Sequence, residues 1–191
     1  MKKTRRLLAL LLAMVMMLAL TVTAGAEEVT TTAAKNEITV IYTNDVHTYI
    51  DKTLSYATVS AMKQDYQKAG KQVLLVDAGD HIQGTAYGGT DEGKTIVQLM
   101  NAAGYDLGTL GNHEFDYGMA RALATVQEAK FPYVSCNFYH EKNGVVGDPV
   151  LDSYKVFDMN GTKVAFVGIT TPESFTKSTP AYFQDANGKY I

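Results

Sequence analysis

Cysteine is almost absent from this chain. Cys136 is the only one in 191 residues, so no intrachain disulfide exists and a packed core must hold the fold. It sits in Tyr133-Val134-Ser135-Cys136-Asn137, where it reads as a buried small hydrophobe at a strand end. No activating base stands beside it, which argues against a nucleophilic thiol. Positive charge is scarce too. The formal net charge is -3, and leaving out the first 26 residues, with four basic residues and no acidic one, takes it to -7. A basic footprint for a polyanion is missing, which excludes nucleic acid as an expected partner. Internal repeats are lacking, and so are apolar runs long enough to span a bilayer. The longest such run, Leu7 to Leu20, falls short of the ~20 residues a membrane helix needs.

That run is informative in another way. Lys2, Lys3, Arg5 and Arg6 precede it, and Thr23-Ala24-Gly25-Ala26 follows it. A basic start, a short apolar stretch and a small-residue cleavage site predict a signal peptide over 1–26, cut after Ala26. An uncleaved anchor is the alternative. Cleavage leaves no stable membrane span and places the protein in a bacterial periplasm, in the cell envelope or outside the cell. Residues 27–37 are polar and aperiodic and read as a flexible leader. Residues 38–191 suffice for one ordinary domain, and a hydrophobic content of 46% with 19% charged residues is that of a globular protein.

Within the domain, Ile38-Thr39-Val40-Ile41-Tyr42 predicts a strand covered on both faces. Ser55 to Ala69 reads as a helix stopped by Gly70, and Val73 to Val76 as a second buried strand. Gly84, Gly88, Gly89 and Gly93 mark a loop. Lys94 to Ala103 is helical, with Ile96, Val97, Leu99 and Met100 on its apolar face. A third strand is expected over Tyr105 to Leu110, a helix over Gly118 to Lys130 and a fourth strand over Phe131 to Cys136. His140 to Asp152 reads as a polar loop. Tyr154 to Met159 and Thr162 to Ile169 flank Asn160-Gly161, the signal of a type I′ hairpin. Thr170 to Ile191 reads as a loop. Strands alternating with helices imply an α/β domain built on a parallel sheet.

In such a sheet, sites form outside the carboxyl ends of the strands. Asp45 and His47 follow the first strand, Asp80 the second, and Asn112 and His113 the third. Taken singly, each has a plainer role: Asp80 as a turn cap, Asp116 as the N-cap of the next helix. Taken together they match a binuclear metal site. Asp45 and His47 can point at one cation, Asp80 can bridge two, and Asn112 offers a neutral oxygen to the second. Two divalent ions ~3.5–4 Å apart clamp a phosphate in line. His113 would then stand where a leaving oxygen departs, oriented by Asp116. His81 reads as facing away from the metals, at most as a support or a substrate contact. His140 reads as exposed.

Three blocks carry a resemblance to a known family: Tyr42-Thr43-Asn44-Asp45-Val46-His47, Asp77-Ala78-Gly79-Asp80-His81-Ile82-Gln83-Gly84-Thr85, and Leu110-Gly111-Asn112-His113-Glu114-Phe115-Asp116-Tyr117-Gly118. They resemble the calcineurin-like metallophosphoesterases, in particular the exported 5′-nucleotidase branch. Met100 to Asp106 and Phe131 to Asn137 are similar to that branch as well. The resemblance spans roughly Ile38 to Thr171. It implies an αββα sandwich, of which this chain supplies mainly the first sheet and its helices. It assigns metal binding to Asp45, His47, Asp80 and Asn112, and catalysis to His113 with Asp116. It implies two divalent cations, zinc, manganese, cobalt or magnesium, a choice the mixed N/O donors leave open. The substrate class it implies is a small-molecule 5′-nucleotide. Members of the family complete the metal site with a Gly-His-x-His-like block and carry a separate base-stacking domain, and neither follows His113 here. The expectation is therefore an N-terminal portion whose isolated chain turns over slowly or not at all. A 2′,3′-cyclic nucleotide phosphodiesterase and a non-catalytic exported metal or ligand binder are the alternatives.

Overall fold

The computed structural model of the protein describes residues 37–184 and 186–188. The expected signal peptide, 1–26, and nearly all of the expected leader lie outside the described residues. Three strands, β1 (Ile38–Thr43), β2 (Gln72–Asp77) and β3 (Leu107–Gly108), form a parallel sheet in the order β1-β2-β3. The register aligns Thr43 with Asp77 and Asp77 with Gly108. All three strands thus end at one edge, and their following loops emerge side by side.

The crossovers are helical: α1 (Tyr56–Lys68), a single turn α2 (Ala86–Gly89) and α3 (Lys94–Ala103). Ser55 caps α1 by accepting the Thr58 N–H at 3.4 Å. The bounds of α3 are those expected, and it ends where the Gly104 N–H turns back to the carbonyls of Met100 and Asn101. After β3 come a 3-10 turn (His113–Phe115) and α4 (Met119–Glu128). Ile96, Val97 and Met100 of α3, Leu75 of β2, Leu110 and Phe115 are buried, and most belong to one apolar cluster with Tyr105, Ala122 and Phe131. That cluster is the floor on which the loops of the sheet edge rest.

The structure departs from the expected elements in several places. The expected double cover of β1 is absent: β1 is the sheet edge, with Val40 42% and Tyr42 72% exposed while Ile41 packs on the cluster. An apolar run reports burial potential but not strand order. β3 is two residues long because Asp106 turns its side chain into the ladder, accepting the Leu75 N–H at 2.7 Å. Phe131 to Cys136 makes only isolated parallel bridges, Tyr133 to Gly108 of β3 and Val134 to Asp152, and Cys136 is half-buried rather than buried.

The expected polar loop is instead a hairpin, β4 (Tyr139–Lys142) with β5 (Val145–Pro149). Its turn is Asn143-Gly144, with φ of 57° and 79°, the same chemistry that closes the correctly expected hairpin β6 (Tyr154–Met159) with β7 (Thr162–Val167) at Asn160-Gly161. The last stretch is not simply a loop. It forms a short α5 (Ser174–Lys177) and a 3-10 turn (Pro180–Phe183). Phe183, 6% exposed, lands with its ring 5.5 Å from Phe115 and 5.1 Å from Phe175. No helix among the described residues is long and apolar enough to cross a membrane.

Candidate metal centre and active site

The loops that leave β1, β2 and β3 are laced together through their backbones. The Asp45 N–H donates to the Gly79 carbonyl at 3.1 Å, and the His47 N–H to the Asp80 carbonyl at 3.0 Å. The second and third loops touch main chain to main chain. A Cβ on Gly79 would lie 2.5 Å from the Gly111 nitrogen, and one on Gly111 would collide with Asp80 Oδ1. Asp45, His47 and Asp80 all adopt left-handed φ, at 53°, 46° and 59°. Non-glycine residues pay ~1–3 kcal/mol for such conformations and keep them where the surroundings over-determine them. That clustering of strain marks the edge as a functional one.

His47, Asp80 and His113 each turn a donor atom to a common point, all within 4.8 Å of one another. The His47 Nδ1–H donates to the Gln83 carbonyl at 3.1 Å, which fixes the tautomer and leaves Nε2 free to ligate. Nε2 lies 3.6 Å from Asp45 Oδ1, so Asp45 joins the same patch. The Asn44 amide donates to the other Asp45 oxygen. Asp80 Oδ1 accepts the His113 N–H at 2.8 Å. Burial first, and then the negative charge of Glu114 and the contact with Asp45, hold the Asp80 carboxyl above the usual carboxylate range, although the His113 N–H works the other way. Carboxylates crowded in this way favour a cation between them. Asn112 opens the 3-10 turn one residue before His113, its carbonyl accepting the Phe115 N–H at 3.3 Å. Two imidazoles, two carboxylates and a nearby amide make a donor set that suits divalent cations of mixed N/O preference.

His113 joins this cluster although the sequence suggests for it only a leaving-group role. Its Nδ1 lies 2.6 Å from Asp116 Oδ2, and its ring meets that of His47 edge-on at 5.0 Å. Burial lowers its pKa, but the Asp116 hydrogen bond and charge, helped by Asp80 and Glu114, prevail and raise it. Asp116 is not the helix N-cap: Gly118 holds that position, and the second Asp116 oxygen accepts the Ser178 hydroxyl at 2.9 Å. His140 is exposed on β4, as expected.

His81 neither faces a substrate nor reaches the metal patch. It is wholly buried, Nδ1 2.8 Å from Asp77 Oδ1 and Nε2 2.8 Å from Tyr133 Oη. Burial opposes its charge, yet the carboxylates of Glu114 and Asp77 push its pKa up to about 9. Its Nδ1–H donates to Asp77, and Nε2 shares a hydrogen bond with the Tyr133 hydroxyl. Sequence reasoning missed Glu114 and Ser178. Glu114 lies between His113 and Phe115 in a stretch rich in polar residues, which gives no sign that it is buried. Ser178 left no signal either.

Residues 38–186 match the family model described as calcineurin-like phosphoesterase. A snake venom 5′-nucleotidase of Gloydius brevicauda is 32% identical over 165 residues, covering 78% of this chain and 28% of that protein. A 5′-nucleotidase of Homo sapiens is 34% identical over 162 residues, covering 75% and 28%. Among solved structures, the NAD nucleotidase of Haemophilus influenzae superposes with a TM-score of 0.64 at 28% identity, covering 73% of this chain and 27% of that one. The 5′-nucleotidase precursor of Thermus thermophilus gives 0.62 at 28% identity, covering 74% and 30%. The chain thus spans less than a third of the length of these relatives. The shared region contains the sheet edge with all of its polar loops, and on that ground the chain belongs to the calcineurin-like phosphoesterase family.

Proposed function

We propose that the whole protein is an exported, metal-dependent hydrolase of phosphate esters, with 5′-nucleotides as its substrate class. The single observation that carries this reading is the meeting of His47, Asp80 and His113 at one point, with Asp116 behind His113. Asp45 and His47 would hold one divalent cation, Asp80 would bridge, and Asn112 would serve the second. Such a pair would polarise the phosphoryl group and would lower the pKa of a bound water toward neutrality. The rest falls to the chain itself. Asp116 holds the imidazole of His113 by Nδ1 and raises its pKa, so Nε2 faces away from Asp116, where the protonated ring would donate to the departing ester oxygen. Ser178 occupies the other Asp116 oxygen and fixes the carboxylate plane. A binding protein without chemistry has no use for this relay, which favours the enzyme over the binder.

The test has two arms. Manganese or zinc titrated into the chain by calorimetry should bind tightly at one site, and Asp80→Asn should weaken that binding ~10–100-fold. Phosphate release from adenosine 5′-monophosphate should be slow or nil for residues 1–191 and ready for the whole protein, and His113→Ala should abolish it there. Robust release by residues 1–191 would overturn the view that they hold only part of the ligand set. Export rests on the first 26 residues. Mature protein recovered outside the cytoplasm should begin at Glu27, and material beginning at Met1 would count against cleavage.

A further inference from the structure

Three features lie outside the machinery described so far: the apolar cavity lined by Phe115, Phe138 and Phe175, the open edge of β1, and Glu114. Glu114 carries the argument furthest. It is wholly buried, and the imidazole that faces it is that of His81, whose Nδ1 lies 3.4 Å from Oε1. Nearly all of its bonding capacity goes to backbone. Oε2 accepts the Asp80 N–H at 2.9 Å and the Gly111 N–H at 2.6 Å, and Oε1 accepts the His81 N–H at 2.8 Å. One carboxylate thus grips the loop that carries Asp80 and the loop that carries Asn112 and His113. A buried ionised carboxylate is expensive and persists where several donors converge on it. The two carboxyl oxygens together accept from three amides. A neutral amide side chain in its place offers one oxygen and turns an NH2 toward a backbone N–H.

We propose that Glu114 is a positioning residue for the cation site: it clamps the two ligand loops at a fixed separation and adds a buried negative charge behind the ligands without touching the cation. This rests on the metal reading above and assigns the geometry of that site to a side chain that is not itself a ligand. The remaining members of the cluster support the clamp. His81, held by Asp77 and Tyr133, keeps Oε1 in place, and the Gly79–Gly111 contact lets the loops close to the distance that the carboxylate spans.

The experiment uses the full chain and two readouts. The first, without metal, is amide hydrogen exchange at Asp80, His81 and Gly111. Glu114→Gln should speed exchange at these amides at least ~10-fold more than at β2 amides such as Leu75. The second is affinity for Mn(II) and the visible spectrum of the Co(II) form. Glu114→Gln should weaken Mn(II) binding ~10–100-fold and move the Co(II) bands, as a changed ligand geometry requires. Asp106→Asn is the control, since Asp106 likewise bonds a backbone amide, that of Leu75, but away from the site. It should lower stability with Mn(II) affinity and Co(II) bands unchanged. Should Glu114→Gln not fold, Glu114→Asp keeps the charge but is one methylene too short to reach both loops, and it should expose the Gly111 amide while retaining part of the affinity. Unchanged exchange and unmoved Co(II) bands overturn the clamp. Equal losses in Asp106→Asn reduce Glu114 to general stability and overturn it too. A wild-type chain that binds no cation overturns the metal reading instead, while the exchange arm still decides whether Glu114 holds the loops.

Discussion

The parallel sheet with its crossover helices and the two antiparallel hairpins solve the same hydrogen-bonding problem in opposite ways. In β2 the central residues Val73, Leu74 and Leu75 are buried on both faces, with strands on either side and helices packed on the sheet. In β6 and β7 every backbone pair is made, yet Val156, Val167 and neighbouring Ile169 remain exposed. β4 and β5 are exposed at every position. Strands are paired in both regions and buried in only one. The difference teaches that the proposed metal ligands are mounted where burial, not pairing, supplies the stability. All of them leave the ends of buried or half-buried parallel strands, and none sits on a hairpin.

The comparison breaks first at its strongest point. Leu75→Ala should cost ~2–5 kcal/mol in denaturant unfolding, since it leaves a cavity at a fully buried position. Val167→Ala, at a site 62% exposed, should stay within ~0.5 kcal/mol. Equal losses would mean that the hairpin is covered in solution. Next in size, native-state exchange should find the β2 amides opening only with global unfolding, whereas the β6–β7 amides open locally and at least ~10-fold faster. Equal protection would join the two regions into one cooperative unit.

Ion pairs sharpen the contrast further. Arg121 grips Glu128 with two hydrogen bonds, of 2.9 and 2.7 Å, and is 9% exposed. A double-mutant cycle should give about 1 kcal/mol of coupling. The Arg121 hydrogen bond, only partly offset by desolvation, lowers the Glu128 pKa. The contribution is therefore present above the unfolded value of ~4.3 and is lost as pH falls through the folded one. Lys163–Asp158 on the hairpin, just as short at 2.6 Å, is open to solvent and should show no measurable coupling. The smallest effect is local. In the metal-free protein Asp116→Asn should lower the His113 pKa, followed by the imidazole NMR shift, because the carboxylate is what overcomes burial there. With the folded pKa raised, the native pair stabilises fully below the unfolded value of ~6.5, and that share is lost as pH rises through the folded value.

Much of this was legible in the sequence, and the reasons are physical. The strand-to-loop order put Asp45, His47, Asp80 and the Asn112-His113 pair at one edge, because parallel strands leave no other place for them. The 3.6-residue spacing and Gly104 delimited α3 to the residue. The β4–β5 hairpin was not legible: charged residues flank its apolar pair Val145-Val146, and the Asn143-Gly144 turn was masked by the polarity around it. Phe183 looked like a loop aromatic because Pro180 and many hydroxyls surround it, yet its partner Phe115 lies 5.5 Å away across the fold. Glu114 and His81 stayed hidden because burial of a charged pair depends on backbone amides gathered from distant loops. Composition carries no trace of that.

The left-handed backbone at Asp45, His47 and Asp80 has a consequence in time. Isolated segments avoid such conformations, so the ligand loops cannot pre-form. They take shape only once β1 and β2 lie side by side and the Gly79 and Asp80 carbonyls are there to receive the Asp45 and His47 amides. The cation site is then the last part of the sheet edge to assemble. Substitutions in these loops should quicken unfolding and leave the refolding rate nearly untouched.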